Sequence, residues 1–190
     1  MYVSLLIATY SYINDLFQSC SVGSEVYVYA DDAKLFKHIQ TPEDKDVLRK
    51  DINNLNNWTK EWLLKLNISK CKSITYRRNI LYANRYNIEG IEIENVNHIK
   101  DLGVTFDSKL RFDMHIQDKI NKANCMLGII KRNFRYLNKE AFITLYKSLI
   151  RAHLENAVAV WKPHFKSDIE RMEKVLMRAT KIIRNIANLT

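Results

Sequence analysis

The sequence predicts an α+β chain in which an antiparallel sheet with packed helices is followed by an all-α helical bundle. Short apolar or alternating runs bounded by polar turns, typical of strands, recur through the first 108 residues. From Phe112 onward, apolar residues recur every three or four positions, which is the period of amphipathic helices. We therefore expect two domains, residues 1–108 and residues 109–190.

Composition supports a folded chain without a membrane span. Of the 190 residues, 47% are hydrophobic and 27% are charged, which suffices for a core and argues against disorder. Cys20, Cys71 and Cys125 are too widely spaced for a disulfide framework or a zinc signature. We expect a reducing intracellular compartment, cytoplasm or nucleus. The apolar opening from Met1 to Ile13 is too short to cross a bilayer, so we expect it in the core and expect no membrane partner.

Positive charge is concentrated in the second half of the chain. Residues 1–108 carry 13 Lys and Arg against 14 Asp and Glu, whereas residues 109–190 carry 17 against 7. A basic segment of this kind attracts polyanions and releases counterions when it binds phosphates. The alternative is a basic surface that has no ligand.

The first strands and the first helix follow from local patterns. Residues 25–29 and 33–38 are predicted strands on either side of Asp31-Asp32. Thr41-Pro42 followed by acidic residues predicts a helix start, and the helix is expected to end near Asn67. Its apolar stripe, in which Trp58 shares a face with Trp62 and both are expected in the core, comprises Leu48, Ile52, Leu55, Trp62 and Leu66.

Three further elements complete the first domain. Residues 73–76 are a predicted strand, and residues 85–96 are a predicted hairpin with Gly90 at its turn. Alternation of Ile with Glu in this hairpin predicts one buried face and one wet face. Residues 102–106 form the last predicted strand.

The second domain is predicted to contain three helices. The first carries an apolar stripe of Ile116, Ile120, Ala123, Leu127 and Ile130. The second carries Phe142, Leu145, Leu149 and His153, flanked by Tyr146, Ile150 and Leu154, with Trp161 expected to pack at its end. A capping box from Ser167 to Glu170 predicts the start of the third helix, whose inward residues are Ile169, Met172, Val175, Leu176, Ala179, Ile182 and Ile183.

The adjacent carboxylates Asp31 and Asp32 are the strongest chemical signal. Burying two like charges side by side is costly unless a cation neutralises them. Mg²⁺ takes oxygen ligands, and two-metal phosphoryl transfer requires carboxylates at close quarters. An exposed polar turn is the alternative, but the residues leading to Asp31 are nearly all apolar or aromatic.

Five ordered motifs carry a resemblance to a known family. Tyr29-Ala30-Asp31-Asp32 resembles the YADD box of reverse transcriptases of LINE-type (non-LTR) retrotransposons, and residues 12–16 resemble the YINDL segment before it. Residues 62–72 resemble the later palm element, and residues 98–104 resemble the KDLGV primer-grip turn. Residues 145–181 resemble the helical thumb. The resemblance implies a palm-type sheet, residues 1–108, followed by a thumb-like bundle, residues 109–190.

The resemblance also implies catalytic residues. Asp31 and Asp32 would hold Mg²⁺, with Mn²⁺ as an alternative, and Asp31 is the stronger candidate for direct ligation. Tyr29 and Ala30 would place the hairpin against the primer terminus. Lys70, or Lys72 in its place, would protonate departing pyrophosphate, although a solvated lysine is the alternative.

Contacts to nucleic acid are implied at two further places. Leu102 and Gly103 match the primer-grip turn, for which a plain turn is the alternative. Basic residues of the second domain would bind the duplex: Lys119, Lys122, Lys131, Arg132, Arg135, Lys174, Arg178 and Lys181. Histidines such as His115 and His164 lie too far apart in sequence for a metal site, so core or surface roles are expected.

By this resemblance, the intact enzyme is an RNA-directed DNA polymerase that binds an RNA template, a DNA primer and deoxynucleoside triphosphates. The first catalytic Asp and the nucleotide-binding fingers are expected in a segment before Met1. The chain alone is therefore expected to be inactive. The rival hypothesis is a non-enzymatic nucleic-acid-binding remnant, a domesticated or decayed copy.

Overall fold

The chain divides into two compact units. A computed structural model describes residues 2–6, 16, 20–30, 32–76, 85–134 and 137–187, with the backbone alone for residues 2–6 and 183–187. Met1–Ile99 with Asp107–Leu110 form one unit, which we term the sheet unit. Lys100–Phe106 with Arg111–Thr190 form the other, the helical unit. Residues 100–106, which the predicted boundary at residue 108 assigns to the first domain, thus group with the helices.

The sheet unit is built on a mixed sheet. Its described strands are β1 (Tyr2–Leu6), β2 (Ser24–Tyr29), β3 (Asp32–Lys37), β4 (Lys72–Ile74), β5 (Asn87–Ile88), β6 (Ile91–Glu92) and β7 (Glu94–Asn95). Five of them form a sheet in the order β2-β3-β1-β4-β7. β5 and β6 form the predicted hairpin, with Glu89 and Gly90 at positive φ in its turn. The predicted strands around the aspartate pair are also confirmed, and part of the apolar opening forms β1, between β3 and β4 of the sheet.

One strand pairing departs from the predicted antiparallel sheet. β4 and β7 run parallel, with Lys72 opposite Glu94 and Ser73 opposite Asn95. The other pairings in this sheet are antiparallel. Parallel strands need a long connection, and the residues between β4 and β7, which include the β5–β6 hairpin, supply one. Short strand patterns alone do not encode the direction of such a return.

Helix α1 (Pro42–Glu61) supplies four buried residues to the core of the sheet unit. Its start is confirmed, since the Asp44 carboxylate accepts hydrogen bonds from the N–H groups of Gln40 and Thr41, both at 2.9 Å. Trp58 is buried, whereas Trp62 is 49% exposed, so the prediction that both lie in the core is wrong for Trp62. The apolar face of α1 packs with buried residues of the strands and of the β6–β7 connection: Leu48, Ile52, Leu55 and Trp58 with Ala33, Leu35, Ile88 and Ile93.

Helix α1 ends at Glu61 and not near Asn67 as predicted. Leu63 adopts a left-handed conformation, φ 53°, and the Leu64 N–H donates to the Thr59 carbonyl at 2.8 Å. This is the backbone arrangement that usually ends a helix at Gly or Asn. Because Leu occupies that position here, the sequence carries no signal for the stop.

The helical unit consists of two long helices and several short ones. They are α2 (Asp113–Asn133), α3 (Lys139–Leu145), α4 (Ala152–Glu155), α5 (Val158–Trp161) and α6 (Lys166–Ala187). Every residue of the stripe predicted for the first helix is buried, which confirms that stripe: Ile116, Ile120, Ala123, Leu127 and Ile130. Strands β8 (His98–Asp101) and β9 (Val104–Asp107) form a hairpin in which the division between the units falls.

A π-helical turn changes which residues of the second predicted helix are buried. Tyr146–Arg151 adopts this turn and joins α3 to α4. Phe142, Ile150 and Leu154 are buried, whereas Leu149 is 39% exposed, so Leu149 is a wrong core prediction. A π turn accommodates more residues than an α turn, and residues four apart therefore stay aligned through it.

Helix α6 begins before the predicted capping box. The Ile169 N–H donates to the Phe165 carbonyl at 3.2 Å, so Ser167 already lies in the first turn. Val175 and Ala179 are buried as predicted. Ile169 and Leu176 are each 39% exposed, contrary to prediction. Each lies one residue, and so about 100° of rotation, from the buried line that begins at Asp168.

Candidate active site and nucleic-acid interface

The YADD box lies at a tight strand connection. Tyr29 on β2 pairs with Asp32 on β3, which leaves a two-residue connection between the strands. Its first residue, Ala30, is exposed and adopts φ 51°. The second, Asp31, lies outside the described residues. A left-handed residue is typical of the turns that match the twist of two paired strands.

Aromatic side chains cover one face of this hairpin. Tyr27 and Tyr29 are 54% and 61% exposed, while the alternating Val26 and Val28 pack against the core with α1. Asp32 is directly opposite Tyr29 and therefore shares its face. The hairpin thus offers two tyrosines and one half-buried carboxylate on the side that faces away from α1.

A residue that the sequence analysis missed anchors the start of β2, at the end of the hairpin away from the turn. Asp51 of α1 is fully buried, and its carboxylate accepts from the Ser21 N–H at 2.8 Å and the Ser24 hydroxyl at 2.5 Å. Ser24 is the first residue of β2. Charge-assisted hydrogen bonds of this kind are among the strong ones. An Asp inside the apolar stripe between Leu48 and Leu55 is the signal that could have identified it.

The described residues do not by themselves assemble a metal centre. No group of three or more His, Cys, Asp or Glu side chains that could hold a metal ion occurs among them. Asp32 is the one predicted metal ligand that is described. The described side chains are therefore an incomplete fit to a two-metal site.

The two candidate lysines lie on the far side of β1 from the YADD hairpin. Lys70 ends a short 3₁₀ turn, Ile68–Lys70, and is exposed. Lys72 begins β4 and forms an ion pair with Glu94 at 3.3 Å. In the sheet, Ser4 of β1 is opposite Lys72 on one side and Lys34 of β3 on the other. Lys72 therefore lies one strand removed from the strand that Asp32 begins.

The predicted primer-grip residues form an exposed turn. Leu102 and Gly103 connect β8 to β9 with φ values of 45° and 83°, and Leu102 is 58% exposed. The residues that follow are anchored in the helical unit. Val104 is buried in its core, and the ring of Phe106 lies 5.5 Å from that of Phe112. The turn is therefore held at its base and open at its tip.

His115 completes this anchor. Its Nδ1 accepts the Thr105 N–H at 3.1 Å, and its ring stands edge-on against Trp161 with centroids 5.0 Å apart. His115 is 1% exposed. Burial, helped by the neighbouring Lys119 ammonium, lowers the pKa of His115 to about 4. The imidazole is therefore neutral at physiological pH and serves as an acceptor in the core, one of the two roles expected for it.

This histidine makes the stability of the helical unit dependent on pH. Because the folded-state pKa of about 4 lies below the ordinary 6.5, the unfolded chain binds the proton more tightly within that window. Above pH 6.5 the neutral imidazole makes its whole contribution to the free energy of unfolding. We expect that free energy to fall by up to about 3 kcal/mol as the pH falls to about 4. Urea unfolding followed by circular dichroism measures it. The loss should shrink in His115→Asn and persist when the exposed His164 becomes Gln; equal losses in all three proteins would contradict the assignment.

Most of the predicted phosphate-binding cations lie at the surface of the helical unit. The exposed ones are Lys122, Lys131 and Arg132 on α2, and Lys174, Arg178 and Lys181 on α6. Lys122 also pairs with Asp118 at 2.8 Å. The Arg178 guanidinium donates to the Asn124 amide oxygen at 2.8 Å, which joins α6 to α2. The exposed cations therefore lie on two helices that pack against each other.

Two predicted basic residues stand apart from this surface. Lys119 is only 8% exposed, and burial lowers the pKa of its ammonium group. It therefore belongs to the interior beside His115 and not to the exposed set. Arg135 lies outside the described residues.

The comparisons with known proteins agree with the motifs. The sheet unit carries the Tyr-Ala-Asp-Asp hairpin, and the helical unit carries exposed cations on its packed helices. The chain is 26% identical over 170 residues to the RNA-directed DNA polymerase from the mobile element jockey of Drosophila funebris, and 25% identical over 168 residues to that of Drosophila melanogaster. The resemblance to reverse transcriptases of LINE-type retrotransposons is confirmed by these similarities.

The matched region is a small part of each relative. The similarity covers 85% of this chain and 18% of each of the two polymerases. No family model matches the chain. No solved structure matches it either. Among the helices in the described part of the chain, none is both long and apolar enough to span a membrane.

Proposed function

We propose that this chain provides the YADD hairpin of the palm and the basic thumb of an RNA-directed DNA polymerase from a non-LTR retrotransposon. The observation that carries the proposal is the pairing of Tyr29 with Asp32 across a two-residue connection, with an open aromatic face beside it. The similarity to two polymerases of the jockey element supports the same assignment.

In this proposal, Asp31 and Asp32 are the carboxylates of a Mg²⁺ site, for which Mn²⁺ is an alternative. Hard divalent ions favour oxygen ligands and, when bound, would neutralise charge on the phosphates. Tyr29 and Ala30 would lie against the primer terminus. Asp51 would keep the start of β2 in place through its bonds to Ser21 and Ser24.

The helical unit would bind the RNA template and DNA primer as a duplex. Its exposed cations lie on α2 and α6, which the contact between Arg178 and Asn124 joins. Contacts of this kind go to phosphates and are independent of base sequence. The Leu102–Gly103 turn would touch the primer strand, since a glycine lets the backbone approach closely.

We further propose that the 190-residue chain binds duplex weakly and does not polymerise by itself. The chain spans 18% of the length of the polymerases it matches. Phosphoryl transfer requires the nucleotide, the metal ions and both strands to be positioned together. In an intact polymerase, nucleotide-binding fingers and a third metal-binding carboxylate would complete the site.

Primer extension on an RNA template tests both parts of this proposal. We expect no extension by the purified chain or by Asp31→Ala with Mg²⁺ or Mn²⁺ present, and equal duplex binding by the two proteins in a filter assay. Metal-dependent extension that disappears in Asp31→Ala would overturn the proposed inactivity and establish the active site. Absence of salt-sensitive duplex binding would overturn the proposed thumb function.

A non-enzymatic nucleic-acid-binding protein is the second candidate. The exposed cations of α2 and α6 favour this candidate, because phosphate binding by these cations requires neither Asp31 nor Asp32. Mixing the chain with a polymerase segment that contains the fingers distinguishes the candidates. Restored extension that requires Asp31 supports a polymerase part, whereas unchanged binding with no extension supports the binding protein.

A further inference from the structure

We propose that His115 is a positioning residue that fixes the Leu102–Gly103 turn to helix α2, so that the turn and the exposed cations act as one nucleic-acid-binding body. The inference rests on the proposed function, because it assumes that this turn contacts the primer strand. The helical unit would then set the orientation of the turn through one buried imidazole.

The contacts around the turn support this arrangement. The segment Lys100–Phe106 belongs to the helical unit. Val104 is 4% exposed and Phe106 packs edge-on against Phe112, but neither contact fixes the backbone by a hydrogen bond. The bond from the Thr105 N–H to His115 Nδ1 does, at 3.1 Å. Thr105 lies two residues after Gly103, so this bond sets the direction in which the chain leaves the turn.

The tip of the turn is available to a ligand. Leu102 is 58% exposed, and a Cβ atom added to Gly103 would meet nothing within 4 Å. A two-stranded hairpin is at best marginally stable by itself and needs packing to hold one conformation. Since a turn that must be ordered on binding lowers affinity, a turn already fixed at its base favours binding.

The surroundings of His115 keep it an acceptor. An acceptor Nδ1 requires the ring proton to be on Nε2, and that nitrogen has no hydrogen-bond partner among the described residues. The cations of Lys119, Lys122 and Lys100 oppose a second proton, and Asp118 favours one. Trp161 covers the ring. The balance leaves His115 suited to hold a backbone N–H and unsuited to exchange protons with a substrate.

Two substitutions separate the position of the acceptor from the bulk of the ring. His115→Asn keeps an amide oxygen where Nδ1 lies, whereas His115→Gln places its amide near Nε2. Both remove the contact with Trp161. We expect hydrogen exchange of the Thr105 amide to stay slow in the Asn variant and to accelerate about tenfold or more in the Gln variant.

Affinity for a primer–template duplex should follow the same order. We expect the Gln variant to bind about tenfold more weakly and the Asn variant to bind within about twofold of the unaltered chain. Thr105→Pro removes the donor and leaves the His115 and Trp161 side chains unaltered, and it should reproduce the loss seen with Gln. This variant keeps the test decisive if substitution of His115 prevents folding.

Hydrogen exchange and duplex affinity test separate claims. Slow exchange of Thr105 in the Gln variant would overturn the positioning role. Fast exchange together with unchanged affinity would overturn the link between turn and ligand, while the proposed function would stand. Loss of duplex binding by the unaltered chain would instead overturn the proposed function, and the exchange data would still test the positioning of the turn.

Discussion

Replacement of Lys131, Arg132, Lys174 and Lys181 by glutamine is expected to lower affinity for an RNA–DNA duplex by roughly 10³-fold at about 0.1 M salt. These four side chains are exposed on the paired helices α2 and α6. Each phosphate contact that is lost should reduce the slope of log affinity against log salt by about 0.9, or 3 to 4 in all. Filter binding at several salt concentrations measures both quantities.

Arg178 is left in place in this variant because its guanidinium bonds to Asn124 and supports the packing of α6 on α2. The matched control replaces three exposed lysines and one exposed arginine of the sheet unit by glutamine: Lys50, Lys65, Lys109 and Arg85. The control has the same net charge as the test variant, yet we expect it to bind within about threefold of the unaltered chain. Equal losses in both variants would show that net charge and not the helical surface governs binding.

Trp161→Ala is expected to destabilise the helical unit by about 3–5 kcal/mol. Trp161 is 1% exposed, its indole N–H donates to the Asn156 carbonyl at 2.8 Å, and its ring covers His115. Truncation would leave a large cavity and a carbonyl without its donor. Because the chain has two units, amide exchange of α2 measures the effect more specifically than a global unfolding midpoint.

Trp62→Ala is the matched control, since Trp62 is 49% exposed at the end of α1. We expect it to cost less than about 1 kcal/mol and to leave exchange in α2 unchanged. A similar cost for the two substitutions would mean that Trp161 is not a central residue of the helical core. Exchange in α2 that is unchanged in Trp161→Ala would contradict the packing described for this ring.

Local chemistry explains most of what was predictable about the fold. Thr41, Pro42 and Asp44 mark the start of α1, since the Asp44 carboxylate accepts from the Gln40 and Thr41 N–H groups and Pro42 has no N–H that needs a partner. The stripe from Ile116 to Ile130 follows an unbroken helical period, and its burial is confirmed. The stripe predicted for the second helix of this unit was wrong at Leu149, which is exposed because the π turn Tyr146–Arg151 departs from the α-helical period.

Several site residues depend on contacts between distant parts of the chain. The bonds from Asp51 to Ser21 and Ser24 span 30 and 27 residues. The predicted surface residue Lys119 is buried, because the packing around α2 and not the residue type sets its exposure. His115 could be assigned to core or surface from its spacing, but not to the Thr105 amide.

The sequence by itself determined the resemblance to reverse transcriptases of LINE-type retrotransposons, the YADD motif between two predicted strands, and the concentration of positive charge in the second half. These properties follow from short stretches of sequence or from composition, and none of them depends on how distant segments pack. Only the tertiary structure decided that β4 and β7 are parallel and that residues 100–106 group with the helices. It also decided that Asp51 accepts hydrogen bonds from Ser21 and Ser24, and that His115 accepts one from Thr105. The physical reason is that burial and long-range hydrogen bonds arise when separated segments pack, and one-dimensional patterns do not specify those pairings.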